Sequence, residues 1–75
     1  MKFEIFRSFA GPTERTEYWH RQYKQWLPLP LCGKAPEASL YPTHLGALRA
    51  FNQLRADFNR IAQSGDRIGF KIAEE

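Results

Sequence analysis

A long amphipathic segment in the second half of the chain constrains the fold more than any other feature. Its apolar residues recur at spacings of four, three, four and three, which places them on one stripe of an α-helix. The pattern predicts a helix over Thr43–Gln63, with Thr43 as its N-cap and Gly65 suited to a left-handed C-cap. Pro42 stops any earlier helix. The stripe consists of Ala47, Phe51, Leu54, Phe58 and Ile61.

Two further segments predict β-strands. Lys2–Phe9 is rich in β-forming residues and partly alternating, and a Gly-Pro turn follows it. The stretch "RIGFKIA" alternates strictly, with Ile68, Phe70 and Ile72 on one side. It therefore predicts a closing strand after the helix.

The segment "YWHRQYKQW", from Tyr18 to Trp26, carries four aromatic rings and no acid. As a helix, it places three of those rings at i, i+4 and i+7. As a strand, its aromatic content is favourable, but both of its faces are mixed. One strand face would hold Trp19, Arg21, Tyr23 and Leu27, and the other Tyr18, His20, Gln22, Lys24 and Trp26. The local pattern leaves both structures open.

The following stretch, "LPLPLCGKAPEASLYP", contains four prolines, which exclude a helix and any long central strand. We expect only short extended pieces around Leu29–Cys32 and Glu37–Leu40, with Gly33 in a turn. The alternating Leu and Pro residues at its start make a stiff segment with an apolar face. This segment can cover a sheet edge, or it can offer an edge to a partner strand or to a second copy in a homodimer.

Several short motifs resemble the YegP-like small domains over about residues 1–55. The matching residues are Phe3–Phe6, the aromatic-basic segment Tyr18–Lys24, Gly33 at a turn, and Ser39, Tyr41, Thr43 and Ala47 at the helix entry. Such domains usually have Lys where this chain has His44. The resemblance implies a ββ(β)α unit and therefore a strand for Tyr18–Trp26. It implies no catalytic residues.

Length and composition complete the predicted fold. Seventy-five residues are too few for two hydrophobic cores, so we expect a single domain spanning residues 1–75. The eleven aromatic residues can fill its core. The predicted class is α+β: a small antiparallel sheet of ββ(β)αβ order, with one long helix packed on one face. Cys32 is the only cysteine and no apolar stretch is long enough for a membrane span, which indicates a cytoplasmic protein without a membrane partner.

The titratable residues predict a non-enzyme without a metal or a cofactor. His20, His44 and Cys32 lack the spacings that are typical of metal sites. Nothing marks a base or an oxyanion hole beside Cys32, and the chain has no glycine-rich phosphate loop. Its acidic residues are scattered, mostly beside Arg or Lys, and we interpret them as solubilising charge.

The remaining interpretation is a protein-interaction module. We expect Trp19 and Tyr23 to pack under the helix, which leaves the aromatic-basic face of the sheet for a partner. The candidate partner-binding residues are Tyr18, His20, Arg21, Lys24, Trp26 and Lys34, and Arg49 and Arg60 form a second basic face on the helix. Arg21 belongs to the inner face by strict alternation, so its inclusion assumes that its head group reaches solvent at the sheet edge.

Size and architecture suggest that such a module inhibits or regulates a larger cytoplasmic complex, as phage-encoded inhibitors such as anti-CRISPR proteins do. The alternative is a nucleic-acid-binding domain, with bases stacked on exposed rings and phosphates held by basic side chains. The net charge of +3 is modest for that function. A protein partner is therefore the first expectation, and a nucleic acid is the second.

Overall fold

The computed structural model describes residues 1–11, 14–30 and 35–74. The four strands are β1 (Lys2–Phe9), β2 (Arg15–His20), β3 (Gln25–Pro28) and β4 (Arg67–Glu74). They form one antiparallel sheet of order β3-β2-β1-β4. A short 3₁₀ helix (Glu37–Ser39) and the long helix α1 (His44–Ile61) lie between β3 and β4 in the chain. The predicted α+β class, with a small antiparallel sheet and one long helix, is confirmed.

The core lies between α1 and the half of the sheet that is formed by β1 and β4. Ile5 is fully buried opposite Phe70, its cross-strand partner on β4. The Phe70 ring packs 5.2 Å from that of Phe51 on α1, and Phe9 packs 5.7 Å from Phe58 near the other end of the helix. Phe51, Phe58 and Phe70 are on the faces that the helical stripe and the strict alternation of β4 predict, because each pattern aligns its apolar side chains on one face.

The helix begins and ends through local polar contacts. Thr43 is the N-cap as predicted, since its Oγ1 accepts a hydrogen bond from the Gly46 amide at 3.1 Å. At the other end the prediction was wrong about Gly65. The C-cap is Ala62, in an extended conformation, and Gly65 lies in the turn before β4 with a φ of 95°. The positive φ of Gly65 is therefore required by the turn before β4 and not by the end of the helix.

The sheet face away from α1 is covered in part by the connection between β3 and α1. Leu29 donates its amide to the Thr16 carbonyl at 3.1 Å, which continues the β2–β3 pairing. Tyr41 exchanges two backbone hydrogen bonds with Phe3, at 2.9 and 2.8 Å, so this connection also pairs with β1. The expected extended piece at Glu37–Leu40 is instead a 3₁₀ turn. Leu31 and Cys32 of the expected Leu29–Cys32 piece, together with the Gly33 turn, lie outside the described residues.

This second face buries several polar groups together with apolar ones. The buried side chains there belong to Glu4, Tyr18, His20, Ser39 and Leu40. The Ser39 hydroxyl donates to the Pro36 carbonyl at 2.7 Å. The Oε1 atom of Glu4 has no hydrogen-bond partner among the described residues. The sheet is thus covered by α1 on one face and only in part on the other, where polar and apolar side chains are buried together.

Candidate binding groove between the helix and the hairpin

The aromatic-basic segment is neither one strand nor a helix. β2 ends at His20, residues 21–24 form a turn, and β3 starts at Gln25. The turn closes through the Lys24 amide, which donates to the His20 carbonyl at 2.8 Å. Lys24 itself has a φ of 52°, a left-handed conformation that is uncommon for a residue other than glycine. The single strand that the resemblance implied is therefore corrected to a hairpin.

The turn changes which side chains share a face. Trp19 and Trp26 are cross-strand partners, with ring centroids 5.3 Å apart and an edge-to-face geometry. Both lie on the side of the sheet that α1 occupies. Strict alternation along one strand had placed Trp26 with Tyr18 on the opposite face, and the structure overturns this because four turn residues separate the two strands.

Tyr18 and His20 do not form an exposed surface. They are only 4% and 5% exposed and lie on the face away from α1. Burial raises the pKa of the Tyr18 hydroxyl, and nearby Tyr23 and Glu4 raise it further. The His20 ring stacks on that of Tyr23 at 4.1 Å, and its Nδ1 accepts a hydrogen bond from the Tyr23 amide at 3.3 Å. Residues of the same chain already pack against both side chains, so neither Tyr18 nor His20 offers a surface to a partner.

Tyr23 was expected under the helix and is instead 66% exposed. The reason is its position in the turn, where it no longer follows the alternation of β2. Its ring covers one side of His20, so it shields that buried imidazole from solvent. Trp19, the other ring expected in the core, does lie on the α1 side and is half-buried.

A groove opens between this hairpin and α1. It has a volume of about 300 Å³ and is bordered on the hairpin side by Trp19, Arg21 and Lys24. Its other lining residues are Tyr41, at the entry to the helix, and Ala50, Gln53 and Leu54 on α1. Arg21 and Lys24 are exposed, so their charged ends are accessible at the mouth of the groove. Three of the seven lining residues belong to the predicted aromatic-basic segment.

The groove is aromatic and positively charged. The Arg21 guanidinium lies 5.8 Å from the centroid of the Tyr41 ring. Burial raises the pKa of the Tyr41 hydroxyl, while a hydrogen bond from Trp19 and the Arg21 charge partly offset that rise. None of the seven lining residues is acidic. The charges of Arg21 and Lys24 are therefore not neutralised by a carboxylate within the groove.

Beyond Trp19, the ring of Trp26 is held by Arg7. The Arg7 guanidinium lies over the Trp26 ring at 4.4 Å and also bonds Glu17, from Nε to Oε1, at 2.7 Å. The Glu17 carboxylate compensates the Arg7 charge, so this arginine orders Trp26 without adding to the positive charge of the groove. Trp26 is half-buried and adjacent to the groove.

The other predicted site residues have different outcomes. Lys34 lies outside the described residues. Arg49 is exposed on α1, one helical turn before Gln53, so it lies on the flank of the helix that borders the groove. Arg60 is exposed as well and lies 3.8 Å from Asp57, an ion pair in which both side chains face solvent. The second basic face therefore contributes Arg49 to the surroundings of the groove, while Arg60 is partly neutralised.

Four lining residues were not predicted: Tyr41, Ala50, Gln53 and Leu54. Leu54 had been assigned to the core stripe. For the three residues on α1, the available signal was a position at the edge of the apolar stripe, where an amphipathic helix passes from covered to exposed. Only the path of the hairpin shows that this edge borders a groove.

Within residues 1–11, 14–30 and 35–74, no three His, Cys, Asp or Glu side chains come together in a way that could hold a metal ion. In the same part of the chain, no helix combines the length and the apolar composition that crossing a membrane requires.

Comparison of the chain with family models, curated proteins and solved structures finds no match. The resemblance to the YegP-like domains therefore stays a prediction. The geometry of the groove carries the functional argument on its own.

Proposed function

We propose that this protein is a non-catalytic interaction module that binds an acidic segment of a protein partner in the groove between α1 and the β2–β3 hairpin. The observation that carries the proposal is the lining of the groove. Two cations, Arg21 and Lys24, stand beside the rings of Trp19 and Tyr41, and none of the lining residues is acidic. An electropositive cleft with aromatic walls attracts and orients a carboxylate-bearing partner.

The size of the groove favours side chains of a partner over a whole small-molecule ligand. A volume of about 300 Å³ is at the lower end of the range for ligand pockets. The apolar wall formed by Ala50 and Leu54 suits an aliphatic side chain next to the acidic one. The Gln53 amide can donate to a carbonyl of the partner and accept from one of its amides.

The role proposed for this binding is inhibition or regulation of a larger cytoplasmic complex, by occupying a surface that the complex needs. Phage-encoded inhibitors, anti-CRISPR proteins among them, act in this way. The support for this role is the small size of the chain and the placement of two exposed cations, Arg21 and Lys24, at one groove. A non-catalytic chain can act only through what its surface covers.

A nucleic-acid-binding function is the second candidate, and the half-buried Trp19 beside two cations favours it. A base can stack on an aromatic ring while the cations hold phosphates. Two observations count against it. The ring of Tyr41 already has Arg21 against it, so it is less open to a stacked base, and the neighbouring Arg7 is paired with Glu17, so it adds no free charge for a phosphate.

The test is a titration of defined ligands followed by tryptophan fluorescence. The ligands are acidic peptides that place Asp or Glu beside Leu, their Asn and Gln counterparts, and a single-stranded oligonucleotide. We expect the acidic peptides to bind and the amide peptides to bind at least about tenfold more weakly, since charge pairing at the groove is lost. Oligonucleotide binding that exceeds peptide binding and falls steeply with salt would instead establish the nucleic-acid function.

Arg21→Glu should weaken the binding of acidic peptides by about tenfold or more. Arg55→Glu is the matched control, because it makes the same change in net charge at an exposed site on α1 that does not line the groove. We expect this control to bind almost as the unmodified protein does. Equal losses in both variants would show that net charge, and not the groove, attracts the peptide.

A further inference from the structure

β4 is an end strand of the sheet, and its outer edge has no neighbouring strand among the described residues. It is eight residues long and contains no proline. An edge of this length presents unpaired amides and carbonyls that can template pairing with another strand. The opposite edge is different, because β3 has only four residues and ends at Pro28. The sheet is thus blunted at one edge and open at the other.

We propose that the outer edge of β4 pairs with β4 of a second copy of this chain, antiparallel and around a two-fold axis at Phe70. The two four-stranded sheets would then form one continuous sheet of eight strands. The groove lies at the opposite side of each sheet, beside the β2–β3 hairpin, so it stays accessible in the dimer. The inference is therefore independent of the proposed function.

The register follows from the side-chain pattern of β4. Residues directly opposite each other in an antiparallel pair point to the same face. With Phe70 opposite the partner's Phe70, Ile68 lies opposite the partner's Ile72 on the face that α1 covers. Ile72 is 47% exposed in the monomer, a large value for an isoleucine beside the core. The pairing extends the apolar ladder of one copy into that of the other.

On the other face, the same register keeps positive charges from facing each other. Lys71 lies opposite the partner's Gly69, and Arg67 lies opposite the partner's Ala73. An axis at Gly69 would place Arg67 directly opposite the partner's Lys71, and an axis at Lys71 would place two lysines in direct opposition. Like charges in direct opposition are destabilising. The charge pattern of the strand therefore selects Phe70 among the neighbouring registers.

The small size of the domain also favours a second copy of the chain as the partner of this edge. A chain of 75 residues buries a smaller fraction of its surface than a larger domain does. Self-pairing at β4 covers the exposed side of Ile72 and satisfies the edge backbone without any change in the fold. Two-fold pairing also closes the assembly at two copies, because the other edge is blunted by Pro28.

Charge substitutions at Ala73 test both the edge and the register. Ala73 is exposed, and in the monomer it lies six positions along the strand from Arg67, too far for direct contact. In the proposed dimer, Ala73→Glu forms two symmetric pairs with the partner's Arg67, and Ala73→Arg creates two repulsions. We expect the first to lower the dimer Kd roughly three- to tenfold and the second to raise it by a similar factor.

Sedimentation equilibrium over a wide range of protein concentration measures these constants. The double variant Arg67→Glu/Ala73→Arg again places opposite charges at the facing positions, so it should return the Kd from the raised value of Ala73→Arg toward that of the unmodified protein. Gln25→Arg, a control on the exposed β3 edge, should leave the Kd unchanged. An amide fingerprint spectrum of each variant checks that the fold is retained. A protein that stays monomeric at every concentration overturns the proposal. A dimer whose Kd is the same in the unmodified protein and in the charge variants at Ala73 and Arg67 overturns it as well.

Discussion

Arg7 and Glu17 are joined across β1 and β2 by a bond of 2.7 Å from Nε to Oε1, and their side chains are only 17% and 16% exposed. Arg7 lies on β1, a strand that contacts α1, and Glu17 lies on the neighbouring strand β2. The Arg7 guanidinium also covers the ring of Trp26 at 4.4 Å. This pair therefore connects the central strand to both strands of the hairpin.

Removing one partner of this pair should destabilise the fold. We expect Glu17→Gln to lower the free energy of unfolding by about 1–3 kcal/mol, because a half-buried guanidinium loses its counter-charge. Arg7→Leu/Glu17→Leu should recover much of that loss, since neither charge remains. Urea unfolding of the single and double variants measures the coupling. Asp57→Asn, which breaks an ion pair exposed on both sides, should have little effect.

Glu4 should make the stability depend on pH. Its side chain is 3% exposed, and its Oε1 has no hydrogen-bond partner in the part of the chain that the structure describes. Burial raises the pKa of this carboxyl above its ordinary value of 4.5, and the charge of Lys71, its cross-strand partner, partly offsets the rise. The folded state thus favours the protonated acid. Its contribution to stability is fully present below 4.5 and is lost as the pH rises through the raised folded pKa.

Glu4→Gln should abolish that loss, so the variant gains stability relative to the unmodified protein between mildly acidic and neutral pH. Chemical unfolding at a series of pH values gives the difference. Glu37→Gln is an informative comparison, because a hydrogen bond from Lys2 lowers the pKa of Glu37 and reverses the sign. Any contribution from Glu37 is present above 4.5 and is lost as the pH falls. A flat difference for Glu4→Gln across this range would contradict the expectation.

Asp66 should be more important to the fold than its place in a surface turn suggests. Its two carboxylate oxygens accept bonds from the amides of Ala10 and Gln63, each at 2.9 Å. One side chain thereby connects the end of β1 to the chain that leaves α1. We expect Asp66→Ala to lower the free energy of unfolding by about 1–3 kcal/mol, and Asp66→Asn to lose less because one acceptor oxygen remains.

Hydrogen exchange distinguishes this connection from a general loss of stability. In Asp66→Ala, the amides of Ala10 and Gln63 should exchange faster than their neighbours do, relative to the unmodified protein. An equal acceleration along the whole chain would mean that the carboxylate stabilises the fold without holding these two amides.

A side chain at Gly65 should lower the stability of the fold. It has a φ of 95°, and a Cβ added there would lie 3.0 Å from the Cβ of Ala10. Gly65→Ala is expected to destabilise the protein by about 1–2 kcal/mol through backbone strain and this contact. Gly11→Ala is the matched control, since no atom of the described residues lies within 4 Å of a Cβ at that position. Thermal unfolding of the two variants should separate them, and equal melting temperatures would refute the argument.

The helix α1 and the strand β4 were predictable because each has an uninterrupted periodic pattern. Thr43–Gln63 was expected and His44–Ile61 is observed, with Thr43 as the cap. Strict alternation likewise placed Ile68, Phe70 and Ile72 on the covered face of β4, where the contacts of Phe70 with α1 show that face to lie. In such segments the local pattern and the tertiary structure agree, so the sequence alone is sufficient.

The hairpin was not predictable from the same kind of reasoning. Its turn contains no glycine, proline or asparagine, and the left-handed position is filled by Lys24. Without a turn signal, alternation was continued through residues 21–24, and Trp26 was assigned to the wrong face. The pairing of Tyr41 with Phe3 and the double acceptor role of Asp66 were missed for another reason: they join residues far apart in the chain, and no spacing records such contacts.

The central position of β1 has a consequence for how the chain folds. β1, β2 and β3 are consecutive hairpins, while the pairing of Phe3 with Ile72 must close a loop that spans almost the whole chain. Because the entropy lost in closing a loop grows with its length, we expect the hairpins to form first and β4 to dock last. The groove joins segments that are closer in sequence than the β1–β4 pairing of the core, so the rate-limiting step of folding should belong to the core.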